Sequence, residues 1–292
     1  MKKGILAIVL LLWTGIELAA QDVSYQILED SANRIENTYV TFYELRVDMS
    51  AVDQSKWHKG FAGIGSELQV QYALKPNFGI DAIGTYYWFG DKRLGTNMPF
   101  RLDIGVWTNN EGKYKTQEIK VPLRLFKTKA NVEDDKGRWL GTVDAIGLSY
   151  ITVEAQKLFQ TGLRGGLTMR RATYRPMVDS KYQLGIQNVL GMYGGVQFTR
   201  KAHVVTQLEH KVAVSAEYMK WYLDLMYFPI ASTTTVDINN RKRLGYRFGV
   251  WATSPGMKGL FAKTVYNVEL GRLPLDGWYV SLGLGWRLYK SH

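Results

Sequence analysis

The sequence predicts an all-β protein, a transmembrane antiparallel up-and-down β-barrel of about twelve strands, with roughly ten to fourteen allowed. Three observations predict it. Large apolar residues recur at every second position along most of the chain. The first twenty residues have the layout of an export signal. Short and long connections alternate between the strands.

The export signal comes first in the chain. Residues 1–20, MKKGILAIVLLLWTGIELAA, begin with Lys2 and Lys3, continue through an apolar run from Ile5 to Ile16, and end on Ala19 and Ala20 before Gln21. That is the arrangement of a secretory signal peptide, and the run is too short for a comfortable helical span. The chain has no cysteine, which excludes a disulfide framework, a thiolate zinc site and a lipid anchor on cysteine. No later apolar run reaches the ~18 residues that a spanning helix needs. Residues 21–37, QDVSYQILEDSANRIEN, are polar and read as a short, partly helical periplasmic segment, leaving 38–292 for the barrel.

Each strand then follows from its alternation. In SELQVQYAL, Leu68, Val70, Tyr72 and Leu74 share a face opposite Glu67, Gln69 and Gln71. In FGIDAIGTYYW, Phe78, Ile80, Ala82, Tyr86 and Trp88 oppose Gly79, Asp81 and Thr85. In FRLDIGV, Leu102 and Ile104 oppose Arg101 and Asp103; in EIKVPLRLF, Ile119, Val121, Leu123 and Leu125 oppose Glu118, Lys120 and Arg124. In MKWYLDLMY, Trp221, Leu223 and Leu225 oppose Lys220, Tyr222 and Asp224, and in LGYRFGVWA, Tyr246, Phe248 and Val250 oppose Arg247 and Trp251. The chain ends on GWYVSLGLGWRLYKSH, where Trp278, Val280, Leu282, Leu284, Trp286 and Leu288 oppose Tyr279, Ser281, Gly283, Gly285 and Arg287. Weaker alternation marks strands near 39–49, 146–157, 162–173, 189–199 and 260–270. The stretches 108–117 and 200–217 have no assignable connection.

Alternation alone fits both a soluble sandwich, apolar inside, and a lipid barrel, polar inside. Three features favour the barrel: the export signal, aromatics near strand ends (Tyr86, Trp88, Trp221, Tyr227, Trp278, Trp286), and the rhythm of the connections. Residues 75–77, 157–161 and 254–259 read as tight turns, while 128–145, 174–187 and 229–243 read as long polar loops. About 270 mature residues over twelve strands leaves roughly 22 per strand, enough for each crossing plus half a turn and half a loop. An even number puts both termini in the periplasm.

The end of the chain resembles the outer-membrane β-barrel proteins of Gram-negative bacteria, whose last strand carries the signal read by the barrel-assembly machinery. The residues that match are Leu284, Trp286, Leu288 and Tyr289; the tail KSH departs from an aromatic last residue. EIKVPLRLF and NVELGRLPLDGWYVSLGLG also look like elements of barrels common in Bacteroidota, some of which serve as accessories to secretion and gliding machines. The resemblance implies fold and location, with outer-membrane lipid, lipopolysaccharide, the assembly machinery and envelope proteins as partners.

No catalytic, cofactor or metal site emerges. The four histidines are His58, His203, His210 and His292, and none sits in the H-x-S-N-G-like context of outer-membrane phospholipases. A zinc reading of His203 and His210 lacks a third ligand nearby. GLRGG (162–166) and GMYGG (191–195) lack the lysine and helix of a phosphate-cradling loop, so strand glycine is the better reading. The formal charge of +11 falls by one when Lys2, Lys3 and Glu17 leave with the signal. An exported chain does not meet nucleic acid routinely, so anionic lipid is the expected partner of that excess. The basic segments 90–95, 170–175 and 239–245 are candidates for lipid phosphates.

The expected lumen-lining charges are Glu67, Asp81, Arg101, Asp103, Glu118, Arg124, Lys220, Asp224, Arg247, Lys263, Glu269 and Arg287, with Glu44, Arg46, Lys120, Arg164 and Arg170 on the same inward phase. Both signs are present. A selective pore favours one sign at its constriction, so this set favours a filled or very narrow lumen. The function expected is non-enzymatic: a structural or accessory subunit of a cell-envelope assembly. A narrow passive channel is the alternative, and a lipid or peptide hydrolase is remote.

Overall fold

The computed structural model describes residues 25–32, 38–51, 62–89, 100–133, 139–174, 177–178, 181–182, 185–208, 211–233, 243–253, 264–273 and 277–290. The expected signal peptide, His58, His210, His292 and Lys263 lie outside these residues, as do the segments 90–95, 239–242 and 254–259. Among the described residues no helix is long and apolar enough to cross a membrane.

The strands are β1 (Gln26–Asp30), β2 (Tyr39–Ala51), β3 (Ala62–Lys75), β4 (Phe78–Phe89), β5 (Phe100–Asn109), β6 (Lys113–Glu133) and β7 (Trp139–Tyr174). They continue with β8 (Met177–Val178), β9 (Lys181–Tyr182), β10 (Gly185–Leu208), β11 (Lys211–Thr233), β12 (Leu244–Thr253), β13 (Thr264–Leu273) and β14 (Gly277–Lys290). All pairings are antiparallel. Ten strands close a ring in the order β2, β3, β4, β5, β7, β10, β11, β12, β13, β14, with β14 returning to β2. Strands β1 and β6 belong to the same twelve-stranded sheet but hang outside the ring. The ring thus has ten strands where the sequence led to about twelve: the stretches expected as strands at 118–126 and 146–157 fall in β6 and the first part of β7, which pair with each other outside it.

Both β2 and β14 reach the same end of the barrel, called here the terminal end, through the pair Tyr39 and Lys290. The Lys75–Phe78 turn lies at that end too. A bulge between Tyr43 and Arg46 shifts the phase of β2, so that Tyr39, Thr41, Tyr43 and then Arg46 all face inward and all are buried.

Beyond the terminal end the sheet continues as two hairpins. β7 and β10 pair from Tyr174–Gly185 to Lys157–Ala202 and then separate. From there β7 runs on with β6, while β10 runs on with β11 and takes β1 along residues 204–207. β1 sits where the two strands part: the Gln156 amide donates to both carboxylate oxygens of Asp30 at 2.9 and 3.0 Å, and the Ser31 amide donates to the His203 carbonyl at 3.1 Å. The hairpins pack through a small core of their own, formed by Ile119, Val121, Ile151, Val153, Ala155, Ala202 and Val204. Ser215 Oγ donates to the Lys120 carbonyl at 3.2 Å across the same contact.

These hairpins correct several expectations. Residues 157–161 are continuous strand within β7, not a tight turn. Most of 128–145 is strand of β6 and β7 joined at 134–138, not a long loop. The unassigned stretches are the β5–β6 turn and the tip of the β10–β11 hairpin. Within the segment expected to be partly helical, residues 26–30 form strand β1 and Ala32 is a 3₁₀ residue. The misplaced connections have one reason: the strands outrun the barrel, and alternation says nothing about where a ring stops. At the β5–β6 turn Gly112 has φ +87°, and a side chain there would also collide with Leu158 and the Phe159 carbonyl.

Candidate functional site: the charged lumen

The ring fixes which face is inside, and the polar face is. Glu67, Asp81, Arg101, Asp103, Lys220, Asp224, Arg247 and Glu269 are buried, as the sequence expected, together with Arg46, Arg164 and Arg170. Arg287 also faces inward on β14, nearer the terminal end. The outer face carries exposed Leu68, Ile104, Leu163, Leu167, Leu225 and Phe248. Two expected members fall away. Glu118 is exposed, and it and Arg124 belong to β6, which has no place in the ring. Their alternation is genuine, but its apolar side packs on the neighbouring hairpin at Ile119 and Val121. Of the resembling terminal residues, Leu284 is exposed on the outer face and Trp286 is half-buried; Leu288 and Tyr289 extend β14.

The buried charges are joined across the bore. Arg101 on β5 reaches Glu269 on β13 with two hydrogen bonds of 2.8 and 3.0 Å, and also holds Asp103 at 2.6 Å. Asp103 takes Thr168 Oγ1 at 2.6 Å and is paired with Arg247, which donates from Nε to Asp224 at 2.5 Å. Arg164 bridges Asp224 at 3.5 Å and Asp81 at 3.3 Å, and Arg170 reaches Glu269 at 3.5 Å. Tyr222 and Tyr279 donate to Glu269 at 2.6 and 2.8 Å. Glu67 pairs with Arg46 and accepts from Thr85 at 2.8 Å. Nearer the terminal end, Lys220 on β11 donates to Gln71 on β3 at 2.9 Å and to Tyr39 Oη at 3.1 Å.

Two of these links span the full diameter. Four strands separate β5 from β13 on either path round the ring, and four separate β11 from β3. Guanidinium planes fill the space between: Arg164 lies 4.2 Å from the Tyr222 ring centroid and Arg247 4.4 Å from that of Tyr193. Inward glycines make room for the rings. A Cβ on Gly249 would stand 2.1 Å from the Tyr222 ring, so that tyrosine lies flat over β12 only because residue 249 has no side chain. The five inward carboxylates Glu67, Asp81, Asp103, Asp224 and Glu269 thus meet five arginines, Arg46, Arg101, Arg164, Arg170 and Arg247.

Such a network ties side chains together across the bore. Among the described residues no group of three histidine, aspartate or glutamate side chains is placed to hold a metal ion. His203 faces Glu29 of β1, with Nδ1 to Oε1 at 4.0 Å, on the terminal hairpin outside the lumen network. What sequence reading missed is partnership. Arg101 and Glu269 are 168 positions apart, and no local signal pairs them.

The chain matches no protein-family model and no curated protein.

Proposed function

We propose that the chain is an outer-membrane β-barrel of the Gram-negative, Bacteroidota type, closed by its own ion pairs and serving as a structural or accessory subunit of an envelope assembly. The observation that carries the reading is the inverted polarity of the ring: charges buried inside, large aliphatic residues exposed outside. A free monomer in water does not leave so continuous an apolar surface uncovered. Exposed aromatics flank the aliphatic belt, with Tyr72, Phe78 and Tyr266 toward the terminal end and Tyr86 and Tyr227 toward the other. Phe78 and Tyr86 are eight residues apart on β4. At ~3.3 Å per residue and a tilt near 40° this is about 20 Å of height, close to the apolar band of outer-membrane barrels.

With the bore crossed by Arg101–Glu269 and Lys220–Gln71, transport is not the role the geometry favours. The hairpins beyond the terminal end, which is the periplasmic end in this reading, are the natural place for an envelope partner. The exposed apolar belt faces lipid acyl chains, and the barrel is inserted by the assembly machinery.

Two measurements test this. The mature chain should partition into detergent or lipid and show heat-modifiable mobility; a detergent-free soluble monomer would end the reading. Planar-bilayer recordings should show little stable conductance, and Arg247→Ser or Lys220→Ser should raise leakage by removing bulk and pairing. A large, ion-selective conductance in the unaltered protein would promote the narrow-channel alternative.

A further inference from the structure

The charge balance of the lumen changes along its axis. Each of the five buried arginines described above has a carboxylate within 4 Å. Toward the terminal end three further inward cations, Lys201, Lys220 and Arg287, have no such carboxylate among the described residues. They come from β10, β11 and β14, yet they gather round one aromatic group. Tyr39 stacks on Trp251 with centroids 4.8 Å apart, and Tyr218 meets both edge-on at 6.0 and 5.0 Å. The Arg287 guanidinium lies 5.4 Å from Tyr39 and 5.3 Å from Trp251. Lys220 Nζ lies 5.8 Å from Tyr39, and Lys201 Nζ 5.7 Å from Tyr218.

Their present partners are neutral. Lys220 uses a phenol and an amide oxygen, Lys201 has an aromatic face, and Arg287 Nε and Nη2 are buried without a hydrogen-bond acceptor. Ring faces and neutral oxygens compensate poorly for three positive charges withdrawn from water. The same fold supplies a carboxylate to every arginine deeper in, so the missing one here is a local property of this mouth.

We propose that the terminal-end mouth of the lumen binds a phosphate group, held by Arg287, Lys220 and Lys201 beside the Tyr39–Trp251 stack. A tetrahedral oxyanion carries up to two charges and presents acceptors in several directions, which suits donors arriving from three strands. A carboxylate has one charge and a single plane. The group is either free phosphate or the headgroup of an anionic lipid. This site is at the opposite end of the ring from the strand ends at Phe89, Tyr174 and Leu244, and it rests on lumen geometry, independent of whether the bore conducts.

The test is titration of the detergent-solubilised full chain with inorganic phosphate, followed by calorimetry and by tryptophan fluorescence, since Trp251 lies in the site. Saturable binding is expected, weakened at least tenfold in Arg287→Gln and in Lys201→Gln and unchanged in Arg200→Gln. Arg200 is a cation of the same strand that already faces Glu217 at 3.6 Å. Each variant is compared only while its heat-modifiable form persists, and Lys201→Gln serves if Arg287→Gln does not assemble. A short-chain phosphatidylglycerol added to the phosphate complex separates the sources: displacement assigns the site to a lipid headgroup, retention to free phosphate. Absence of saturable binding in the folded protein, or equal binding in all variants, would overturn the proposal.

Discussion

Arg101 and Glu269 stand on diametrically opposed strands of a ten-strand ring, and their side chains meet at 2.8 and 3.0 Å. Two long side chains therefore span the barrel between them, and everything at that level must pack round their contact. Glu269 also accepts from Tyr222 and Tyr279 and faces Arg170, so one carboxylate ties together β5, β7, β11 and β14, four strands besides its own.

Glu269→Ala should destabilise the barrel by about 3–5 kcal/mol, the range for breaking a buried pair from one side. Arg170 would lose its carboxylate and two phenols their acceptor. Urea titration in detergent or lipid measures it. The double variant with Arg101→Ala should cost less than the two singles together, because the second substitution removes a charge that has already lost one of its two carboxylates, keeping only Asp103. Simple additivity would show that the cross-bore pair is not energetically coupled.

Leu225 is 62% exposed on the outer face. If that face meets acyl chains, Leu225→Arg should cost about 2–4 kcal/mol near the midplane of a bilayer. If it meets water, the cost should be close to nothing. Comparing the unfolding of this variant in lipid with that of the unaltered chain separates the two environments without any knowledge of function.

Gly249→Ala places a methyl group where the Tyr222 ring lies. The expected loss is about 1–3 kcal/mol, as for other overpacked interiors. Tyr222→Ala in the same chain should recover part of that loss, although it removes a hydrogen bond to Glu269. No recovery in the double variant would mean that the ring does not depend on the glycine.

Val121→Asp puts a charge into the small core between the terminal hairpins. The hairpin β6–β7 should then open to protease between 113 and 156 while the ring keeps its heat-modifiable form, since β6 is not one of the ring strands. Loss of the whole barrel would show that the extension and the ring fold as one unit.

The facing of the strands was legible in the sequence wherever a strand stays within the ring. Glu67, Asp81, Arg101, Asp103, Asp224, Arg247 and Glu269 share the period-two phase opposite large aliphatic residues, and all are buried inside. Glu118 and Arg124 show the limit. Their phase is as regular as that of Arg101 and Asp103, but β6 pairs on one side only and encloses nothing. The expected turn at 157–161 and the expected long loop at 128–145 fail for the same reason, because β7 at 36 residues continues from hairpin into barrel without a break in its alternation.

By itself, then, the sequence determined strand character, the identity of the two faces and the mixed sign of the inward charges. These depend on residue order along single strands, through a repeat of two that local backbone geometry imposes. Only the tertiary structure decided that ten strands close, that two hairpins overrun the ring, which carboxylate each arginine meets, and that Lys201, Lys220 and Arg287 meet none among the described residues. Those outcomes depend on which strands become neighbours and how far each is staggered against the next, so that residues as distant in sequence as Glu67 and Asn267, 200 positions apart, meet inside the ring. Alternation carries no information about that stagger; ring closure supplies it.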